Sequence, residues 1–271
     1  METMQVSDFF DDDEGILAGR FLSDGRVVLP VEDAAGLERL RRRVADLTAS
    51  HLGLTPPEDV AGFLETIHHH VDAAALNGLR LAVIDGVNAE AWLRPVYFRL
   101  ARRALFELVG NELAMQRRVN LSIQLPRDAS SLLPLHSDVW SGDSAFELVV
   151  WLPLVDCHAT KSMFIASPEA NARWAPKLAQ FRSTEELYQA AAADLTFVSI
   201  RYGEVLVFNQ TLMHGNRVNE EAATRWSMNC RFKGVFTPYA DKRIGEFFEP
   251  ITLRPASRVG LTYALPEGFE T

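Results

Sequence analysis

Two histidines and one aspartate carry the clearest chemical signal in the sequence. His136 and Asp138 are separated by one residue, and His214 follows much later in the chain. Side chains at positions i and i+2 of an extended segment point the same way, so His136 and Asp138 can bind one ion. Two imidazoles and one carboxylate can cap one face of an octahedral metal and leave the opposite face open. This donor set is typical of non-haem Fe(II) oxygen chemistry.

An arginine and a serine follow the distal histidine at a spacing that suits an anionic co-substrate. Arg225 and Ser227 lie two residues apart on a predicted strand. A guanidinium there could bind the distant carboxylate of a metal-chelating 2-oxo acid, with the hydroxyl as a second donor. Arg231 lies further along the same polar face. The sequence does not decide whether its side chain faces a cavity or the solvent. The other face is apolar and predicts packing: Trp226, Met228, Cys230 and Phe232.

The elements around these residues are predicted to be short antiparallel strands. From Arg118 the sequence alternates with period two, and turn residues recur about every 8 to 12 positions, which favours a sandwich or barrel. Strands are predicted at 119–125, 147–154, 162–165, 196–200, 205–209 and 225–236. A helical insertion is predicted at about 170–192, between the third and fourth of these strands.

The first part of the chain is predicted to be mainly helical. Its elements are a solvated acidic tail ending at 11–14, a strand at 25–30, helices at 32–48 and 57–77, one or two helices at 88–110, and a possible strand at 79–84. We expect one domain over 1–271. It would comprise a helical support at 1–117, a catalytic core at 118–240 and a C-terminal extension at 241–271.

The metal and anion motifs together resemble those of a known superfamily. The set His136-x-Asp138, His214 and Arg225-x-Ser227 resembles the Fe(II)/2-oxoglutarate-dependent oxygenases, a non-haem iron superfamily, over about 118–239. A narrower resemblance is to a branch found in bacterial surface-carbohydrate gene clusters. It rests on the segments Gly110-Asn111-Glu112, Asn120 to Pro126, Leu135 to Ser144, Trp151 to Cys157 and Thr160 to Met163.

The resemblance implies a fold and a reaction. The fold is α+β with a mainly β core, a double-stranded β-helix (cupin-like jelly roll) with N-terminal helices and a helical insertion. His136, Asp138 and His214 would bind Fe(II), and Arg225, assisted by Ser227, would bind the 5-carboxylate of 2-oxoglutarate. The implied dioxygenase uses dioxygen, releases succinate and CO2 and oxidises a C–H bond. Hydroxylation is the expected outcome, although related members carry out desaturation, epimerisation or ring closure.

Other polar and aromatic residues are candidates for contact with small molecules. Gln124 lies on the polar face of the strand before His136 and is the first choice there for co-substrate or substrate contact. Candidates for substrate contact are Asn120, Trp140, Glu147, Lys161 and Arg231. The alternatives are an aromatic plug for Trp140 and solvated strand ends for Glu147 and Lys161. The substrate is expected to be a small polar metabolite, such as a sugar or a sugar-derived intermediate.

Composition limits the partners and the compartment. The chain has 271 residues and a net charge of -9, which argues against nucleic acid as the main partner. Its most apolar stretches fall short of the roughly 20 residues that a membrane helix needs. Two cysteines, Cys157 and Cys230, are expected to be buried, and the absence of a secretory start favours the cytoplasm. The oligomeric state is left open.

Two other functions fit the same residues. A cupin-like sugar isomerase or epimerase would use a divalent ion as a Lewis acid and need neither dioxygen nor 2-oxoglutarate. A non-catalytic carbohydrate-binding module would use the metal only as a structural element. Succinate release separates the oxygenase from the isomerase, and glycan affinity that survives the loss of the metal ligands would favour the binding module.

Overall fold

The structure is a computed structural model that describes residues 12–268. It begins with a helix, α1 (Asp12–Asp24), where the sequence predicts an acidic tail. That prediction is wrong for Asp12 to Glu14, while Asp11 lies outside the described residues. After α1 come β1 (Arg26–Pro30), α2 (Ala34–Leu52), α3 (Val60–Glu65), α4 (Ala73–Asn88), α5 (Leu93–Arg99) and α6 (Arg102–Leu108).

Aspartate side chains fix the starts of three of these helices. Asp33, Asp59 and Asp72 each accept a hydrogen bond from the backbone N–H three residues later. Such N-caps satisfy donors that have no partner within the first turn of a helix. The predicted strand at 79–84 is wrong because it lies inside α4. Buried residues recur there with helical spacing: Leu76, Leu79, Val83 and Val87.

The second part of the chain forms most of the strands. In order, they are β2 (Leu113–Gln116), β3 (Asn120–Gln124), β4 (Glu147–Pro153), β5 (Met163–Ala166), β6 (Leu195–Phe197), β7 (Glu204–Asn209), β8 (His214–Asn216), β9 (Arg225–Gly234) and β10 (Phe248–Pro250). Helices α7 (Pro168–Trp174) and α8 (Thr184–Ala191) lie between β5 and β6, which confirms the predicted insertion. A last helix, α9 (Pro255–Thr262), follows β10.

The strands form two antiparallel sheets. The larger sheet of the described chain has seven strands in the order β1-β7-β4-β9-β2-β10, and β3 pairs with β9 beside β2. The smaller sheet has the order β6-β5-β8. Strands β1, β2 and β10 come from outside the predicted catalytic core at 118–240, yet all three belong to the larger sheet. The architecture is therefore a mixed one of helices and antiparallel sheet.

The two faces of β9 are used differently. Trp226 is fully buried, and its Nε1 donates a hydrogen bond to the Leu64 carbonyl of α3 at 2.8 Å. Tyr97 of α5 likewise donates to the Val150 carbonyl of β4 at 3.0 Å, so helices cover this face of the sheet. The opposite, polar face of β9 lines a cavity. The predicted division of this strand into a packing face and a polar face is confirmed.

None of the helices in the described part of the chain has the length and apolar character needed to cross a membrane. Cys157 and Cys230 are both free and buried, as expected. Burial raises the pKa of each thiol to about 12.

Candidate metal centre

A cavity between the two sheets contains the polar face of β9. Strands β3, β4, β7 and β9 of the larger sheet contribute to its wall, and so do β5, β8 and residues 133–138. Its polar lining residues include His136, Asp138, His214, Arg225, Ser227 and Arg231. Apolar side chains complete the wall: Leu133, Val149, Trp151, Met163 and Phe208.

Backbone pairing brings the two histidines together. The N–H of His136 donates to the His214 carbonyl at 2.9 Å, and the N–H of His214 donates to the His136 carbonyl at 2.8 Å. Gly215 permits this close approach, because an added Cβ would lie 2.7 Å from the Leu133 carbonyl oxygen. Real Cβ atoms do not approach backbone oxygens so closely, so any larger residue would push the two segments apart.

The three predicted ligands converge. His136 Nε2 lies 3.4 Å from Asp138 Oδ1, and His214 Nε2 lies 3.8 Å from the same oxygen. The ligand atoms of all three residues lie within 4.8 Å of one another, so the residues form a potential metal site. The donor set of two nitrogens and one carboxylate oxygen fits a divalent transition metal.

Hydrogen bonds orient both imidazoles for coordination. His136 Nδ1 lies 2.8 Å from the Pro134 carbonyl oxygen, and His214 Nδ1 lies 2.8 Å from the Leu212 carbonyl oxygen. A carbonyl oxygen only accepts, so each Nδ1 carries the proton and each Nε2 keeps its lone pair. Burial and the neighbouring His136 lower the pKa of His214 to about 4. Its ring is therefore neutral near pH 7, as a metal ligand must be.

Asp138 is buried beside a positive charge. Its Oδ2 lies 2.8 Å from Arg231 Nη2. Burial alone would raise the pKa of Asp138, but the close contact with His136 and the charge of Arg231 outweigh it. The net effect holds the pKa well below its ordinary value, so the group is a carboxylate across the physiological range.

The loop that carries Asp138 is tied to the turn between β7 and β8. The Asp138 N–H donates to the Gln210 carbonyl at 3.2 Å, and the Ser137 hydroxyl donates to the same carbonyl at 3.0 Å. The side chain of Gln210 is also used, since its Oε1 accepts from Arg231 Nε at 3.1 Å. These bonds fix Asp138 relative to His214, the first residue of β8 after this turn.

Arg225 is buried in the same cavity without an acidic partner. Its Nη2 donates to the Ser122 hydroxyl at 3.0 Å, but among the described residues it forms no ion pair. Arg225 Nε and Ser227 Oγ are also buried, and neither has a hydrogen-bond partner there. Burial lowers the pKa of Arg225 to about 10, which still leaves it charged at neutral pH. This end of the cavity is suited to an anion.

The remaining candidates lie outside the cavity lining. Gln124 is buried on β3, and its Nε2 donates to the Arg217 carbonyl at 2.5 Å. Asn120 donates to Asn229, a cavity residue, at 2.9 Å. Lys161 is buried and forms an ion pair with Glu65 at 2.7 Å.

Glu147 and Trp140 also lie apart from the cavity lining. Glu147 is buried, and its two oxygens accept from the Ser144 N–H at 2.9 Å and from Gln210 Nε2 at 3.0 Å. Burial raises its pKa. Trp140 is part of a short 3-10 helix that starts at Asp138, and 36% of its surface is exposed.

Sequence reasoning missed Gln210, Gly215 and the contribution of Ser122 to the arginine site. The alternation of β3 predicts that Ser122, on the same face as Gln124, lines the cavity, and Ser122 does line it. Only its hydrogen bond with Arg225 was not predicted. Gly215 follows a predicted metal ligand directly, and a glycine there can signal close backbone approach. Gln210 carried no such signal, because its partners lie far away in the sequence.

Solved structures with a similar fold are known, although a scan against protein-family models and a search of curated proteins gave no match. The α-ketoglutarate-dependent carbocyclase SnoK from nogalamycin biosynthesis is 16% identical, with a TM-score of 0.53 over 92% of this chain and 99% of that one. A nickel complex of the non-haem monooxygenase ThoJ is 18% identical, with a TM-score of 0.52 over 86% and 82% of the two chains.

A third similar structure contains iron. HygX from Streptomyces hygroscopicus with iron bound is 14% identical, with a TM-score of 0.50 over 85% of this chain and 89% of that one. The epimerase SnoN from nogalamycin biosynthesis also has a similar structure. Like the carbocyclase SnoK, it is described as α-ketoglutarate-dependent. The structural neighbours are thus non-haem oxygenases and related enzymes. At these identities, the likeness shows the shared fold alone.

Proposed function

We propose that this chain is an Fe(II)- and 2-oxoglutarate-dependent dioxygenase. The observation that carries the proposal is the pairing, in one cavity, of the His136, Asp138 and His214 cluster with a buried arginine that has no acidic partner. The first feature suits a divalent metal and the second suits a carboxylate. A 2-oxo dicarboxylate offers groups for both.

The energetics of Arg225 support an anionic ligand. A buried charge costs free energy unless it is paired, and paired guanidinium groups bind carboxylates with two parallel hydrogen bonds. Arg225 Nε and the Ser227 hydroxyl are the unused polar groups at this end of the cavity. Their types and their burial fit the 5-carboxylate of 2-oxoglutarate, the ligand that the family resemblance implies for them.

At the other end of the cavity, the three candidate ligand residues fit Fe(II). His136 and His214 present Nε2 lone pairs, and Asp138 presents one carboxylate oxygen toward both. When bound, the iron supplies the redox chemistry that couples the conversion of 2-oxoglutarate to succinate and CO2 with the oxidation of a substrate C–H bond by dioxygen. Val149, Trp151 and their apolar neighbours form the nonpolar part of the cavity wall.

The proposed substrate is a small polar metabolite, a sugar or sugar-derived intermediate, with hydroxylation as the outcome. The support is the resemblance of the segments around His136 and Lys161 to the surface-carbohydrate branch. We further propose a jelly-roll core within a single domain over 1–271. Trp140 follows Asp138 closely and offers a part-exposed aromatic surface, so it remains our first candidate for sugar contact. Two free, buried cysteines support a reducing compartment such as the cytoplasm.

The cofactor assignment is tested by spectroscopy without a substrate. Anaerobic addition of Fe(II) and 2-oxoglutarate to the purified protein is expected to give a weak visible charge-transfer band. The matched control is 2-oxoglutarate added with Zn(II), which cannot give the band. A folded protein that binds Fe(II) and shows no band would exclude the proposed oxygenase.

The substrate is tested by succinate release under air against a panel of free and nucleotide-linked sugars. Succinate formation that depends on one sugar would identify the reaction class and the substrate together. Conversion of a sugar without succinate would favour the isomerase. Glycan binding that survives Asp138→Ala, with no turnover, would favour the binding module.

A further inference from the structure

Arg231 joins two buried carboxylates near the candidate metal centre. Its Nη2 lies 2.8 Å from Asp138 Oδ2, and its Nε lies 3.3 Å from Asp143 Oδ1. The guanidinium also donates to the side chains of Gln210 at 3.1 Å and Gln116 at 3.4 Å. Only 13% of the Arg231 side chain is exposed. Its charge is therefore paired within the protein, and each of its three guanidinium nitrogens contacts a protein oxygen.

The contact with Arg231 makes the two oxygens of Asp138 unequal. Oδ1 faces the Nε2 atoms of His136 and His214, while Oδ2 is turned to the guanidinium. A carboxylate can bind a metal through one oxygen or through both. The second mode would require Asp138 Oδ2 to leave Arg231. The observed pairing thus favours coordination through Oδ1 alone.

Contacts of residues other than the three candidate metal ligands fix the position of Arg231. Asp143 is buried, and its Oδ2 forms an ion pair with Lys242 in the segment after β9. The N–H of Asp241 donates to the Gly142 carbonyl at 3.1 Å, which holds the same two segments together. Gly142 has a positive φ of 86°, a conformation that favours glycine. Residues after β9 therefore brace the loop that carries Asp138.

We propose that Arg231 is a positioning residue that keeps Asp138 a one-oxygen ligand and so preserves open coordination positions. This inference rests on the proposed function. Three protein atoms leave half of an octahedral ion free, whereas a two-oxygen aspartate would take one of those positions. The co-substrate and dioxygen need these positions. Arg231 acts through Asp138 and not on the substrate, in contrast to its place among the candidate substrate contacts.

Counting the water molecules on bound Mn(II) tests this role directly. Line broadening of the Mn(II) electron paramagnetic resonance signal in 17O-enriched water reports the waters in the coordination shell. The wild-type protein without 2-oxoglutarate is expected to hold about three waters, and Arg231→Met about two, since the freed Asp138 oxygen replaces one. The measurement needs no turnover and no knowledge of the substrate.

Two further variants make the test decisive. Arg231→Lys keeps the charge, but a single ammonium cannot bridge Asp138 and Asp143 as the planar fork does, so a count between two and three is expected. The Arg231→Lys variant also decides the outcome if Arg231→Met does not fold. The matched control is Arg94→Met, which removes a part-buried ion pair with Glu249 away from the cavity and should keep the wild-type count.

The outcomes separate the inference from the proposed function. Wild-type water counts in both folded Arg231 variants would overturn the positioning role and leave the metal assignment intact. Failure of the folded wild-type protein to bind Mn(II) or Fe(II) would overturn both. A count that falls in the Arg231 variants and stays constant in Arg94→Met would establish the positioning role.

Discussion

Arg225 and Arg231 lie on the same face of β9 and line the same cavity, yet their surroundings are opposite. Arg231 contacts two buried carboxylates, whereas Arg225 contacts only a serine hydroxyl and has no acidic partner among the described residues. A paired guanidinium is part of the protein's own framework. An unpaired one is suited to bind an external anion. The partners of each arginine, and not its type or burial, separate the two roles.

The largest expected difference between the two arginines is in the stability of the metal-free protein. Arg231→Met leaves Asp138 buried without its guanidinium partner, while Asp143 keeps its ion pair with Lys242. Breaking a buried ion pair costs about 3–5 kcal/mol. Arg225→Met removes a buried charge that has no carboxylate to lose, so its free energy of unfolding should be unchanged or higher. Urea unfolding followed by circular dichroism measures both values. Equal losses in the two variants would refute the electrostatic distinction.

A second difference is expected in the response to 2-oxoglutarate. With Mn(II) present, 2-oxoglutarate at about 100 times its Kd should stabilise the wild-type protein by about 2.7 kcal/mol. Arg225→Met should lose most of this gain, because the 5-carboxylate then has no guanidinium partner, but it should keep the stabilisation due to Mn(II). Thermal unfolding with each ligand combination measures these effects. A full 2-oxoglutarate response in Arg225→Met would place the anion elsewhere.

The smallest expected effect concerns Ser227, whose hydroxyl is buried without a partner. Ser227→Ala should leave the stability of the free protein unchanged. It should weaken 2-oxoglutarate binding by about 0.5–1.5 kcal/mol, the net contribution of one hydrogen bond. Calorimetric titration of the Mn(II)-loaded protein measures the change, with the exposed Ser130→Ala as the control. Unchanged affinity in Ser227→Ala would remove this hydroxyl from the anion site.

Local periodicity predicted the parts of the site that depend on one segment. The alternation of β9 separated Trp226 from Arg225 correctly, because a strand places neighbouring side chains on opposite faces. The convergence of His136, Asp138 and His214 was also predicted, since those residue types at that spacing suit one ion. The apolar run at 79–84 gave a wrong strand prediction, because a short apolar run fits a buried helix as well as a strand.

Contacts between distant segments could not be predicted in the same way. The pairing of Arg231 with Asp138 and Asp143 joins positions far apart in the sequence, and no local pattern marks it. The same is true of Gln210, which links Asp138 to Arg231 through its backbone and its side chain. Short strands such as β8 and β10 have three residues each, too few for a period to be visible.

The reciprocal backbone hydrogen bonds between His136 and His214 have a consequence for how the protein matures. In small zinc-binding domains the ion gathers its ligands from an unfolded chain, so the binding free energy is also the folding free energy. Here two backbone hydrogen bonds bring the imidazoles together, and folding of the rest of the chain offsets the entropy of closing the long intervening loop. We therefore expect the polypeptide to fold without the metal and to bind it afterwards. A chelator should then remove the ion reversibly and leave the fold intact.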